Sequence, residues 1–471
     1  MKPDSEMSSS PTGQANSLRV KRAVLNLFWF VASIAVVVAI LVRGEETSKP
    51  EFAGTVTVVA ACFIILWFFL VQFRREVLEL PRKILFILIT IVLFLYITRY
   101  VSKLPGQNLI FLVPFAVIPV MVRTFYDARL ALFILLITIM QAAFMVERPF
   151  EFVLMSFVSG MAAIFTLTNI YRRTRLFFTA IVVILTYSVL YTGIWLMNGG
   201  TLRTISITDF YRFAGNGAMV LVSYPLILLF EKRFLFLSDA TLLELADINQ
   251  PILRKLADEA PGSFQHSLQV ANLAEEAARA IGANVLLVRT GALYHDIGKI
   301  ANPGYYIENQ KDGVSPHEKL DPGASSKVIL NHVRNGVVLA RNYKLPSQVI
   351  DFIKTHHGTT VAYFFYKKFL DSNPGKSDAR KDFTYPGPKP FSKETAVVMM
   401  ADAVEAASRS LGSYSEESIS ELVERIILIQ EQDGQYSDIP LTYKNMSDIK
   451  EIFKKRLSEI FHARIAYPQR S

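Results

Sequence analysis

The sequence predicts an all-α protein in two parts, a polytopic transmembrane helical bundle of about eight spans followed by a cytoplasmic all-α domain. Three observations carry that expectation. Hydrophobic residues make up 51% of the 471-residue chain and mean hydropathy is +0.31, high for a water-soluble protein. The long apolar runs all lie before residue 231. Beyond it, apolar residues recur at helical spacing and strand-like alternation is nearly absent.

Residues 1–18 read as a short polar disordered tail. Residues 19–230 form the bundle, with apolar runs near 24–42, 54–73, 84–101, 109–122, 130–146, 152–171, 176–197 and 213–230. Most approach the roughly 20 residues needed to cross the hydrocarbon. The run at 109–122 is short and holds Pro114 and Pro119, so its boundaries are soft. The first run lacks a small-residue cleavage site and is followed by seven more, against a signal peptide. With a cytoplasmic N-terminus, inside segments, including Arg172–Arg175, hold 13 basic residues against 7 outside. An even number of spans then returns the chain to the cytoplasm at 231–234. The expected location is the bacterial inner membrane. Ionisable residues are nearly absent from the runs, with Arg99 and Glu151 near run ends. That favours an anchor or signal-coupling bundle over a transporter or channel. Tyr224-Pro225 predicts a kink in the last span.

The net charge of +9 divides unevenly. Residues 1–230 carry 20 Lys+Arg against 11 Asp+Glu, whereas residues 231–471 carry 30 against 30. The excess belongs to the membrane part, so no nucleic-acid polymer is expected as a partner. The lone Cys62 excludes an intrachain disulfide framework and a cysteine-based zinc site.

Linker helices are expected over 231–257 and a helical domain over 258–466. Its helices fall near 263–283, with Ser263 as N-cap, then 285–300, 323–341, 346–357, 360–370, 393–411, 416–432 and 446–463. All seven histidines lie in this half, and His266, His295, His332, His356 and His357 fall within apolar helices. Asp296 in "GALYHDIGKI" and Asp402 in "VVMMADAVEAA" have equally apolar surroundings. A buried carboxylate is costly unless it is neutralised, paired or bound to metal. One pair of metal ions satisfies all these groups together, and imidazole with carboxylate suits Fe, Mn, Zn or Ni. Asp296 is the natural bridge, one oxygen to each ion. Two ions about 3.5–4 Å apart would clamp a phosphoryl oxygen. His317, in a polar loop, and His462, near the C-terminus, fall outside the pattern.

The order His…His-Asp…His…His-His…Asp, with gaps of 29, 37, 24 and 45 residues, resembles the dinuclear branch of the HD-domain phosphohydrolases. The segments "EAPGSFQHSLQVANLAE" (259–275), "YYIENQ" (305–310), "HHGTT" (356–360), "YPGPKP" (385–390) and "ADAVEAASRS" (401–410) are similar to the PgpH-like seven-transmembrane HD phosphodiesterases. The likeness covers residues 24–465. It implies a membrane-anchored enzyme that hydrolyses cyclic di-AMP to linear pApA, by in-line attack of a metal-bridging hydroxide on phosphorus. It implies His266, His295, Asp296 and Asp402 around one ion, and Asp296, His332, His356 and His357 around the other, with iron or manganese foremost. It also implies Lys299 on a substrate phosphate, making Asp296 and Lys299 the catalytic residues; the i, i+3 spacing from Asp296 agrees. Arg409, seven residues beyond Asp402, is the candidate for the other phosphate, and Tyr385 or Phe383 for stacking on the bases.

Two rivals remain at this point. One is another nucleotide substrate, cyclic di-GMP or ppGpp; against the former, this chain has Tyr-Pro-Gly at 385–387 where that branch has Gly-Tyr-Pro. The other is a non-catalytic nucleotide receptor, which should have lost ligands. A cyclic dinucleotide and the lipid bilayer are the expected partners, with a homo-oligomer left open. The likeness departs in one place. PgpH-like proteins usually carry a large extracytoplasmic domain after the first span, whereas residues 43–54, "RGEETSKPEFAG", leave room for only a short loop.

Overall fold

A computed structural model describes residues 11–44, 46–105, 108–167, 173–234, 236–310 and 315–462. The chain divides into two compact units, Met1–Ser238 and Asp239–Ser471.

The first unit contains α1 (Pro11–Val42), α2 (Lys49–Phe73), α3 (Arg75–Leu78), α4 (Pro81–Ser102), α5 (Val117–Phe125), α6 (Ala128–Ala142), α7 (Pro149–Thr166), α8 (Arg173–Met197), α9 (Ile207–Val220) and α10 (Ser223–Phe234). Leu66, Ile91, Leu135 and Phe213 are buried in its interior, while Phe68, Phe165, Leu185 and Val189 are exposed. Apolar residues on both faces are what a helix in lipid requires, because neither face meets water.

Among the described residues seven helices are long and apolar enough to cross a membrane, in keeping with about eight spans, and a shorter apolar stretch lies at Leu109–Phe125. Pro114 lacks an amide hydrogen and disfavours helix in the residue before it. The segment accordingly forms a 3-10 turn at Leu109–Leu112 and a separate α5, with Val117 through Val122 all buried. α1 begins at Pro11, inside the stretch read as a polar tail; residues 1–10 lie outside the described residues, as does Arg172 of the basic segment at 172–175. The last span does break, at Leu221–Val222, with Pro225 in the first turn of α10. It also starts earlier than the apolar run at 213–230 suggested. That brings in Asp209, which is buried, ion-paired with Arg212 and hydrogen-bonded by the Tyr191 hydroxyl and the Asn108 amide. Reading the run from 213 missed this pair.

The second unit comprises α11 (Asp239–Leu245), α12 (Pro251–Glu259), α13 (Pro261–Ala280), α14 (Val285–Tyr294), α15 (Pro322–Asn342), α16 (Ser347–Thr355), α17 (Tyr363–Ser372), α18 (Lys393–Ser408), α19 (Glu416–Gln432) and α20 (Tyr443–His462). α13 packs on α14, α18 and α20; α14 packs on α16, and α15 on α16 and α17. Val270, Ala274, Leu293, Ile353, Val397 and Phe453 lie in their shared core. No strand forms among the described residues, only an isolated bridge between Val361 and Thr384.

Two local expectations change. α13 starts at Pro261, so Ser263 lies inside the first turn rather than capping it, and its hydroxyl donates to Glu308 at 2.8 Å. α14 stops at Tyr294, and Ile297–Ala301 continue as a 3-10 helix. Gly298 explains why that turn sits so close to α15: a Cβ there would collide with the His332 carbonyl and the Gly336 amide.

Candidate metal centre

Five helices deliver the seven expected ligands to one place. α13 carries His266 in its second turn, His295-Asp296 directly follow α14, α15 carries His332, His356-His357 directly follow α16, and α18 carries Asp402. All are buried except His357, which is partly buried. Their donor atoms form two groups, His266 with His295 and Asp402, and His332 with His356 and His357, each within 4.8 Å.

Asp296 stands between the groups. Its Oδ2 lies 3.3 Å from His295 Nε2 and 3.7 Å from His266 Nε2. Its Oδ1 lies 3.5 Å from His332 Nε2 and 3.7 Å from His356 Nε2. One oxygen therefore faces each group.

Hydrogen bonds fix which ring nitrogens are bare. Nδ1 of His295, His332 and His356 lies 2.6, 2.6 and 2.9 Å from the carbonyl oxygens of Ala292, Ile329 and Ile353. A carbonyl only accepts, so each Nδ1 carries a proton, and in the neutral ring Nε2 is the nitrogen left with a lone pair. Yet Nε2 of His332 and His356 are 3.0 Å apart. Two lone pairs at that distance repel unless a cation joins them. Two nitrogens on one first-row ion, with bonds of about 2.0–2.1 Å, stand roughly that far apart. His295 Nε2 and Asp296 Oδ1 are likewise buried without hydrogen-bond partners. The residues present fit divalent cations.

The electrostatics agree. Burial holds His332 and His356 below the ordinary histidine value and pushes His357 down to about 3, leaving neutral rings suited to ligation. Burial would raise Asp296, but Lys299 and His295 beside it hold the carboxyl well below its usual range.

Lys299 is not a solvated surface residue. Its ammonium lies 2.7 Å from Asp296 Oδ2, 2.9 Å from Glu308 Oε1 and 5.0 Å from the centre of the Tyr306 ring. Burial works against its charge, yet the two carboxylates raise its pKa above the lysine norm. Glu308 was not singled out in the sequence although it lies within the segment "YYIENQ", because only the fold shows that it meets Lys299. Glu405 was also missed, although a signal existed: it follows Asp402 by three residues in the same apolar helix. It meets His266 Nδ1, and Arg409 donates to its Oε1 from Nε at 2.9 Å and Nη2 at 2.7 Å. Arg409 is thus committed to Glu405.

The aromatic assignments change. Phe383 is buried beside Tyr366 and Phe369, unable to meet a ligand. Tyr385 is buried and stacks on His357 at 4.2 Å, placed by its amide hydrogen bond to the Thr360 carbonyl. One face of its ring lies against His357. His317 is bonded to the Tyr305 carbonyl, outside the cluster. A cavity of about 640 Å³ opens over the centre, lined by His266, Lys299, Glu308, His357, Asp402 and Arg409 and by apolar Met399, Ile426 and Ile429. A larger cleft of about 1010 Å³, between α1 and α4, is apolar and lacks any comparable donor set.

Residues 50–238 match the family described as 7TM receptor with intracellular HD hydrolase, and residues 263–407 match the HD domain. The cyclic-di-AMP phosphodiesterase PgpH of Bacillus subtilis is 34% identical, over 91% of this chain and 62% of its own length. Its namesake from Listeria monocytogenes is 32% identical, over 90% and 60%. The chain belongs to the seven-transmembrane HD hydrolases. It spans about three fifths of the length of these curated relatives. The crystallised HD domain of L. monocytogenes PgpH with cyclic-di-AMP is 40% identical, over 45% of this chain and 98% of that one, at a TM-score of 0.44. HD domains bind divalent metals, in keeping with the donor set above. As a seven-transmembrane HD hydrolase, the chain has only six long apolar helices within 50–238 among the described residues. The buried segment Leu109–Phe125 is the remaining apolar helix there. Counting it, with Val20–Val42 ahead of the matched region, restores about eight spans.

Proposed function

We propose that this chain hydrolyses cyclic di-AMP to linear pApA on two divalent ions, iron or manganese. His266, His295 and Asp402 would hold one, His332, His356 and His357 the other, and Asp296 both. The observation that carries this reading is the placement of Asp296, with one carboxylate oxygen toward each buried donor group. The activity named for the PgpH relatives supports the substrate. Ions bound there would supply an activated water and offset charge on the phosphoryl group.

The chain's own residues do the rest. Lys299, kept protonated by Asp296 and Glu308 on the cavity wall, presents positive charge to a phosphate. Arg409 reaches the same cavity through the face it does not spend on Glu405. Tyr385 steadies His357, and apolar Met399, Ile426 and Ile429 offer a surface for a purine. The basic excess in alternate loops supports an inner-membrane protein with this site in the cytoplasm.

The test is incubation of detergent-solubilised protein, supplied with Mn(II) or Fe(II), with cyclic di-AMP, cyclic di-GMP and ppGpp. Conversion of cyclic di-AMP to pApA is expected. Preferred turnover of either other nucleotide would replace the substrate, and turnover of none would make the protein a receptor.

A further inference from the structure

We infer that Glu405 is a positioning residue that orients His266 and makes the two ion positions unequal. The inference rests on the metal-pair reading above. His295, His332 and His356 give Nδ1 to a carbonyl three residues back on their own helix. Such a partner comes with the helix and carries no charge. His266 differs, because its Nδ1 partner is the carboxylate of Glu405, 139 residues away on α18.

The same helix holds the other side of that ring, since Asp402 Oδ1 lies 2.8 Å from His266 Nε2. Asp402 and Glu405 are three residues apart, so they project from one face and grip both nitrogens of one imidazole. Glu405 is only 7% exposed, too buried for a carboxylate to stand without compensation. Arg409, one turn further along, provides it by donating twice to Oε1, which leaves Oε2 for His266. Arg409, Glu405 and His266 thus form a chain from the cavity wall to the first ion position.

A carboxylate behind a ligating histidine raises the ring's basicity and fixes its orientation. The first position combines that histidine with Asp402 and a share of Asp296. The second has three histidines and the other share of Asp296. The first therefore carries more negative charge and holds its ion more tightly.

The experiment is metal release from the full chain in detergent, loaded with Mn(II) and dialysed against rising EDTA. Elemental analysis counts the ions, and electron paramagnetic resonance separates coupled pairs from single ions. Two release steps are expected for the unaltered chain. Glu405→Gln should move the tighter step to about 10- to 100-fold lower EDTA and leave the weaker step in place. An unmoved tighter step, equal movement of both, or a single step in the unaltered chain overturns the inference. Fewer than two ions in the unaltered chain overturns the metal-pair reading with it. Should Glu405→Gln fail to fold, Arg409→Gln keeps the carboxylate but removes its brace. It should shift the tighter step in the same direction, and unchanged release would count equally against the inference.

Discussion

Lys299 is shared by two carboxylates, its ammonium 2.9 Å from Glu308 Oε1 and 2.7 Å from Asp296 Oδ2. Both Lys299 and Glu308 line the cavity, so the second carboxylate holds the cation there together with Asp296. Lys299→Met should lower kcat/KM for cyclic di-AMP by about 10²-fold, the scale of losing one fixed charge on a transferring phosphoryl group. Glu308→Gln should cost roughly 10-fold by letting Lys299 wander. Both variants should keep their metal. Steady-state kinetics with parallel elemental analysis decides, and an unchanged kcat/KM in Lys299→Met removes the lysine from substrate contact.

Asp296 serves both donor groups, whereas His356 serves one. Asp296→Ala should therefore deplete both ions and abolish turnover, while His356→Ala should deplete one. Metal-to-protein ratios after desalting check this; two ions retained by Asp296→Ala would refute the bridge.

The metal-free second unit should be most stable near pH 6.5. Burial depresses His332, His356 and His357, so below about 6.5 the unfolded chain binds protons that the native state refuses. Stability is lost as pH falls through that window, by at most about 1.4 kcal/mol per pH unit for each histidine. His266 and His295 behave oppositely. Burial disfavours their charge, but Asp402 and Glu405 raise His266, and Asp296 and Asp402 raise His295 to about 10. Their contribution is full below 6.5 and fades as pH rises above it, for His295 until about pH 10. Urea unfolding of residues 239–471 in chelator, from pH 5 to 9, measures both limbs. Stability that keeps rising above pH 8 would contradict the assignment, and added metal should flatten the alkaline limb.

Gly298→Ala should destabilise the second unit by about 1–3 kcal/mol, because the new methyl meets the backbone of α15 and neither element can yield cheaply. It should also impair turnover, since separating the turn from α15 pulls Asp296 from His332. Thermal unfolding and activity are measured together; loss of neither would mean the close approach relaxes freely.

The helical class was legible in the first half from long apolar runs and in the second from the periodic trace that burial leaves, as at Val270, Leu273 and Ala277. Interruptions were harder to see. Pro114 and Pro119 marked trouble near 109–122 without saying that the helix would begin only at Val117. Asp209 was missed because its charge ended the apolar run before its partners Tyr191 and Asn108 were in view.

The sequence alone supplied the seven candidate ligands, their order and the chemistry they would suit, since ionisable groups in apolar helices call for partners and one metal pair would serve them together. Tertiary structure alone decided which atoms meet. It turned one oxygen of Asp296 to each group, spent Arg409 on Glu405, laid Tyr385 against His357 and brought Glu308 to Lys299. Side-chain pairings across 139 or 9 residues depend on how helices and turns pack in three dimensions, which local periodicity does not encode.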